Sequence, residues 1–176
     1  MISRALCLLL FASALGAQAP ARTSKAPASV MDDVRSRWKG STDYLARSAA
    51  AVPESSYTFR PTPAVRTFGE LIAHVAGSQY SFCAAALGEA ARAEDEIEKM
   101  AKTKAALVKA LGESNAYCAR AYAQSDAAVS RKMADDDDTR RSVLLLNMAH
   151  NFEHYGNVIT YMRMLGMVPP SSQPAP

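Results

Sequence analysis

The chain has 176 residues, 49% hydrophobic and 21% charged, which suits one globular domain with a sizeable core. Lys and Arg number 20 against 17 Asp and Glu, a net charge of +3. The basic residues do not cluster, and no acidic triad falls on strands, so nucleic-acid binding and nucleic-acid chemistry are both excluded.

Residues 1–19, MISRALCLLLFASALGAQA, carry one early cation, Arg4, then an apolar run from Ala5 to Leu15 and small residues. This is the pattern of a secretory signal, so an exported protein, periplasmic or secreted, is expected. The apolar run is shorter than the roughly 20 residues that cross a bilayer, so no stable membrane anchor is expected. Ala17-Gln18-Ala19 fits the small-x-small rule for cleavage, although Pro20 would follow; cleavage after Ala17 is the rival. Residues 20–29, PARTSKAPAS, read as a disordered linker.

The first helix is expected from Val30 to Ala51, with Val34, Trp38, Leu45 and Ala49 as its apolar stripe. Three prolines make residues 52–66 an extended connection. Thr67 and Glu70 form a capping box that opens a second helix, in which Phe68, Leu71, Ile72, Val75, Gln79 and Phe82 recur at helical spacing. Gly88 is its stop.

A third helix is expected from Ala93 to Gln124, with Ile97, Met100, Ala101, Val108, Leu111, Cys118 and Tyr122 facing inward. Gly112 in its middle costs about 1 kcal/mol against alanine, which points to close packing there. MADDDDTRR is a charged loop. Its Asp135–Asp138 run lacks calcium-loop spacing, since the sixth residue is Arg140 and the twelfth Leu146. Asp138 or Thr139 caps a fourth helix over Arg141–Leu165, ended by Gly166. Residues 169–176 form a disordered tail. With no β-rich run, the fold class is all-α, a four-helix bundle over residues 30–168. Cys83 and Cys118 remain after export. They either pair or serve as small buried apolar residues.

Only three histidines are present. His150 and His154, in HNFEHYGN, lie one turn apart on one helical face, a spacing that can place two imidazoles on one metal ion. Asn147, Asn157 and Tyr161 share their stripe, beside an apolar face of Leu145, Met148, Phe152, Tyr155 and Ile159. The stripe therefore borders the core, where unsatisfied polar groups are costly. His74 stands amid Leu71, Ile72 and Val75, with Glu70 and Ser78 one turn away. A single buried histidine is most often a hydrogen-bonded core residue; two helices that each direct histidine inward suggest a shared ion. Three imidazoles with an open position describe a catalytic-type zinc site. Neutral imidazole is the ligand form, so occupancy is expected to fall below about pH 6.5. His150–His154 also spells HxxEH, the signature of a metallopeptidase class in which Glu153 would be the general base. No acidic ligand follows Glu153, which makes that reading the weaker one.

The segments YTFRPTPAVRTFGELIAHVAGSQYSFC and AHNFEHYGNVITYMRMLGMVPPSS resemble the DinB-like metalloprotein family, across nearly all of residues 30–172. The resemblance implies a four-helix bundle, often a homodimer, with a divalent metal such as zinc or nickel held by His74, His150 and His154. It also implies thiol-dependent transferase or isomerase chemistry on a small molecule, with a thiol such as bacillithiol or mycothiol activated by the metal. Such thiols are chiefly cytosolic, so export favours activation of water and a hydrolase. Glu70 and Glu153 are the nearby carboxylates for proton transfer. A metal-binding or stress-related module without turnover is the alternative.

Overall fold

A computed structural model describes residues 29–133 and 138–174. The segment 1–19 expected as a signal, the expected linker up to residue 28, and Asp135, Asp136 and Asp137 lie outside the described residues. Among the described residues there are six α-helices and no strand: α1 Val30–Ala51, α2 Phe68–Leu87, α3 Glu96–Met100, α4 Lys104–Tyr122, α5 Asp126–Val129 and α6 Arg140–Met164. None is long and apolar enough to cross a membrane.

Each long helix begins where a hydroxyl can take a free amide. Ser29 caps α1 in a box with Asp32, Thr67 caps α2 in a box with Glu70, Thr103 caps α4 and Thr139 caps α6. Gly88 ends α2 at φ +73°, a left-handed conformation that a side chain would strain. The connection between α1 and α2 holds one 3-10 turn, Glu54–Ser56. It is tied back at both ends: Tyr57 Oη donates to the Ala49 carbonyl at 2.6 Å, and the Phe68 amide donates to the Phe59 carbonyl at 2.8 Å.

The single helix expected over Ala93–Gln124 is two. The chain leaves helical geometry at Ala101, and Thr103 starts α4 afresh with its hydroxyl on the Ala106 amide. Lys104 Nζ then donates to the Ala50 and Val52 carbonyls at 2.7 and 2.8 Å, docking the start of α4 on the open end of α1. Met100, expected inside, is 73% exposed. Gly112 is exposed, and a Cβ there would meet nothing within 4 Å, so close packing does not explain it. The face expected to be apolar on α6 is also displaced. Leu145 and Phe152 are 39% and 40% exposed, while Val143, Leu144, Val158 and Met162 are buried. The expected disordered tail, in its described part, is docked: Ser171 bonds the Tyr155 hydroxyl through both its amide and its Oγ, and Pro170 is buried.

The long helices pack in the ring order α1, α4, α2, α6, so α1 and α2 face each other across the diagonal. Two apolar clusters fill the bundle. One gathers Leu45, Phe68, Ile72, Leu111, Tyr155 and Met162; the other holds Met31, Trp38, Tyr122, Val129 and Leu144. Between them sits a polar layer centred on the fully buried Gln79. Its Oε1 accepts from Trp38 Nε1 at 3.1 Å and from Asn151 Nδ2 at 3.3 Å, and its Nε2 donates to Ser114 Oγ and Asn115 Oδ1. Cys83 and Cys118 form a disulfide that staples α2 to α4.

Two stability effects follow. Gly112→Ala raises the unfolding free energy by about 0.5–1 kcal/mol, because the site is helical, open and unstrained. Removing the disulfide, which closes a separation of 35 residues, costs about 4 kcal/mol on the chain-entropy account. Urea unfolding of Gly112→Ala and of Cys83→Ala/Cys118→Ala beside the parent measures both; a Gly112→Ala protein less stable than the parent contradicts the first.

Candidate metal centre

The capping box at Thr67 sets the start of α2, so His74 falls two turns in and faces α6. Positions 150 and 154 share one face of α6, and the Asn151–Gln79 hydrogen bond pins α6 against α2 at that level. As a result the three imidazoles meet. His74 Nε2 lies 3.1 Å from His154 Nε2 and 3.2 Å from His150 Nε2, and the latter two are 3.0 Å apart. All three residues singled out from the sequence are brought together, and among the described residues they form the one cluster of His, Cys, Asp or Glu able to hold a metal ion.

The donor set fits a divalent ion. Nitrogens held at about 2.0–2.1 Å from one ion lie about 2.9 Å apart at right angles and about 3.3 Å apart in a tetrahedron; the observed triangle falls between. His74 and His154 are buried and His150 is half-buried. Burial holds the imidazoles neutral, the ligand form. His74 is pushed down to about 4, by burial first, then by the Arg66 guanidinium and His154. His154 is pushed to about 4 by burial and by His150, and His150 is lowered by burial and by His74. Protons therefore begin to compete for the metal-free site well below the pH of 6.5 expected from an unperturbed histidine.

The surroundings come mostly from the connections. His74 Nδ1 lies 3.1 Å from Glu94 Oε1 and 3.5 Å from Glu98 Oε1. Ser78 Oγ donates to Glu94 Oε1 at 2.9 Å, and Arg66 Nε donates to Glu98 Oε1 at 3.2 Å. Tyr161 Oη donates to the Arg66 carbonyl at 2.9 Å, so it fixes the connection rather than facing an ion. His154 Nδ1 meets the Asn157 side-chain amide at 3.4 Å, and Phe82 stacks edge-on against His150 at 5.5 Å. Asn147 is not part of the site. It is fully buried and donates to Tyr122 Oη at 3.1 Å.

Neither carboxylate named from the sequence faces the triad as a free base. Glu70 accepts from the Thr67 amide at 2.7 Å and its carboxyl is held below the usual range by that bond. Glu153 is exposed. Glu94 and Glu98, missed by the sequence reading, stand there instead. Their i, i+4 spacing in ARAEDEIEKM was the available signal, hidden when the segment was read as the start of one long helix. A cleft of about 710 Å³ opens at His154, walled by Pro61, Val65, Arg66, Glu70, Asn157 and Tyr161. A second recess of about 300 Å³ reaches His74 past Arg66, Glu94 and Glu98. The triad is thus closed by helices on one side and approachable from the other.

A family model described as the DinB superfamily matches residues 37–158. Among solved structures, a DinB-like protein from Bacillus subtilis is 19% identical with a TM-score of 0.63, over 81% of this chain and 99% of that one. The mycothiol-dependent maleylpyruvate isomerase is 18% identical with a TM-score of 0.60, over 73% of this chain. A histidine-to-alanine variant of that isomerase is 17% identical at the same TM-score. This chain spans 60% of the isomerase's length. At these identities the likeness is one of fold. No curated protein matches the chain.

An unfolded imidazole takes up a proton near pH 6.5, whereas His74 and His154 in the folded, metal-free protein do so only near 4. Between those values the unfolded state binds more protons, so stability falls as the pH is lowered from about 6.5 toward 4. Urea midpoints of metal-free protein at several pH values measure this. The slope is shallower in His154→Gln, and an equal slope in that variant would contradict the assignment.

Proposed function

The chain belongs to the DinB superfamily, and from that premise we propose that it is an exported metal-dependent enzyme, a hydrolase or transferase acting on a small substrate. One observation carries the reading: three imidazole nitrogens converge, and an open cleft reaches them at His154. His74, His150 and His154 hold one divalent ion, zinc in the first instance and nickel as the alternative. When bound, such an ion supplies Lewis-acid activation of a nucleophile near neutral pH. The chain's own residues do the rest. The imidazoles leave one side open, α2 and α6 exclude water from the other, and Arg66 and Asn157 offer polar contacts to a substrate in the cleft.

Export is supported by the sequence of residues 1–19 and by the Cys83–Cys118 bridge, since disulfides persist in oxidising compartments. Export in turn favours hydrolysis over transfer from a cytosolic thiol. Fold likeness to a mycothiol-dependent enzyme keeps transfer as the second reading. The peptidase reading loses its support, because Glu153 is exposed and the third imidazole stands where that class would place a carboxylate. A module without turnover agrees less well with an accessible site of this volume.

Mature protein purified without chelator or affinity-tag metal contains one divalent ion per chain by elemental analysis, and its N-terminus is Gln18 or Pro20. His74→Ala, His150→Ala and His154→Ala each weaken binding strongly while circular dichroism stays helical. If His74→Ala bound metal as tightly as the parent, the three-histidine site would be wrong. Turnover of small ester, amide or phosphoester substrates that chelator abolishes supports the enzyme. Full metal occupancy with no turnover across that panel and a thiol-transfer panel favours the non-catalytic module.

A further inference from the structure

We infer that Glu94, with Glu98 beside it, is a positioning residue of the metal site: its carboxylate fixes His74 through the Nδ1 hydrogen, and it reaches that atom because residue 77 is glycine. The inference rests on the proposed three-histidine site.

His74 is the sole ligand from α2. The other two stand one turn apart on a single helix, so their relation is set by helix geometry. Where the third nitrogen points depends on how the His74 ring is held. With Nε2 turned to its two partners, Nδ1 carries the hydrogen and faces away from them. Glu94 Oε1 lies 3.1 Å from it and Glu98 Oε1 3.5 Å. The other two rings have no such partner. His150 Nδ1 has none among the described residues, and His154 Nδ1 has an amide at 3.4 Å. The site therefore has one carboxylate-backed imidazole, and it is the one whose aim is otherwise least constrained. A carboxylate on a ligand's far nitrogen fixes tautomer and ring plane and makes the imidazole a stronger donor.

The Glu94 side chain is 54% exposed, and an unanchored one would not hold a ring. Two contacts with α2 anchor it, both one turn beyond His74. Ser78 Oγ donates to the same Oε1 at 2.9 Å. The main chain of residue 94 rests on α2 at Gly77, where a Cβ would come within 1.9 Å of the Glu94 carbonyl oxygen and 3.0 Å of its carbon. That is backbone against backbone, so no side-chain adjustment relieves it. Glu98 follows one turn later and is held from the other side by Arg66. The 94–98 segment thus belongs to the site as much as the two helices do.

Zinc is titrated into metal-free protein against a competing chelator. Glu94→Gln and the double variant Glu94→Gln/Glu98→Gln bind about 10- to 100-fold more weakly than the parent, the range for loss of such a partner. Gly77→Ala, which forces the segment off α2, shifts affinity in the same direction. Glu113→Gln, paired with Lys109 on the solvent side of α4, leaves it unchanged. In zinc-loaded protein the imidazole N–H proton resonance of His74 moves in Glu94→Gln while those of His150 and His154 stay, a change that general loosening would not confine to one ring. If the parent binds zinc and the double variant binds it as tightly, or the His74 resonance does not move, the inference fails alone. If the parent binds no zinc, the three-histidine site fails with it.

Discussion

Three neutral imidazoles with their Nε2 atoms 3.0–3.2 Å apart cannot satisfy one another. Each ring can place at most one hydrogen on that nitrogen, along its own axis, so lone pairs are left face to face. A cation at their centre removes the conflict. The rest of the bundle is arranged to maintain it. Apolar contacts on either side of the triad hold α2 against α6, and the buried Gln79 ties α1, α4 and α6 to α2 at the adjacent level. Each hydrogen bond in that layer is worth about 1 kcal/mol net, but leaving Gln79 unpaired costs more, so the layer specifies register more than it adds stability.

Much of this could be read from the chain. Ser, Thr and Gly at helix ends act through the nearest few residues, so the bounds of α1, α2 and α6 were legible, and the Thr67 box placed His74 correctly on its helix. His150 and His154 needed only the helical period. Two other readings failed for a common reason. A periodicity count cannot see a neighbour. The Thr103 cap splits the third helix because Lys104 finds the open carbonyls of α1, and the buried face of α6 is rotated toward Asn147 and Asn151 because Tyr122 and Gln79 bond them there. Asn147 and Asn151, polar as they are, lie fully inside the buried face of this helix.

The long helices supply the triad, with Ser78, Phe82 and Asn157 close by. Its charged surroundings come from the two segments that flank α2. The first carries Arg66, pinned through its carbonyl by Tyr161; the second carries Glu94 and Glu98. The first is irregular and the second was absorbed into one long expected helix, which explains why the sequence offered Glu70 and Glu153 as carboxylates when Glu94 and Glu98 stand beside His74. The same division of labour leaves the bundle rigid while the cleft between the connections can be recut for a different substrate.

Charge then bears on what the centre can do. Three neutral ligands leave the full charge of a divalent ion in a half-buried place, which is unfavourable unless anions stand near. Glu94 and Glu98 provide them through His74, without occupying the ion's own coordination positions. A closed structural site would use thiolates, and none is free among the described residues, where Cys83 and Cys118 are joined to each other. The donor set is therefore three imidazoles, which suits zinc, nickel or another borderline ion better than soft cuprous copper. The carboxylates stand beyond His74, which leaves the cleft at His154 open for an attacking group to reach.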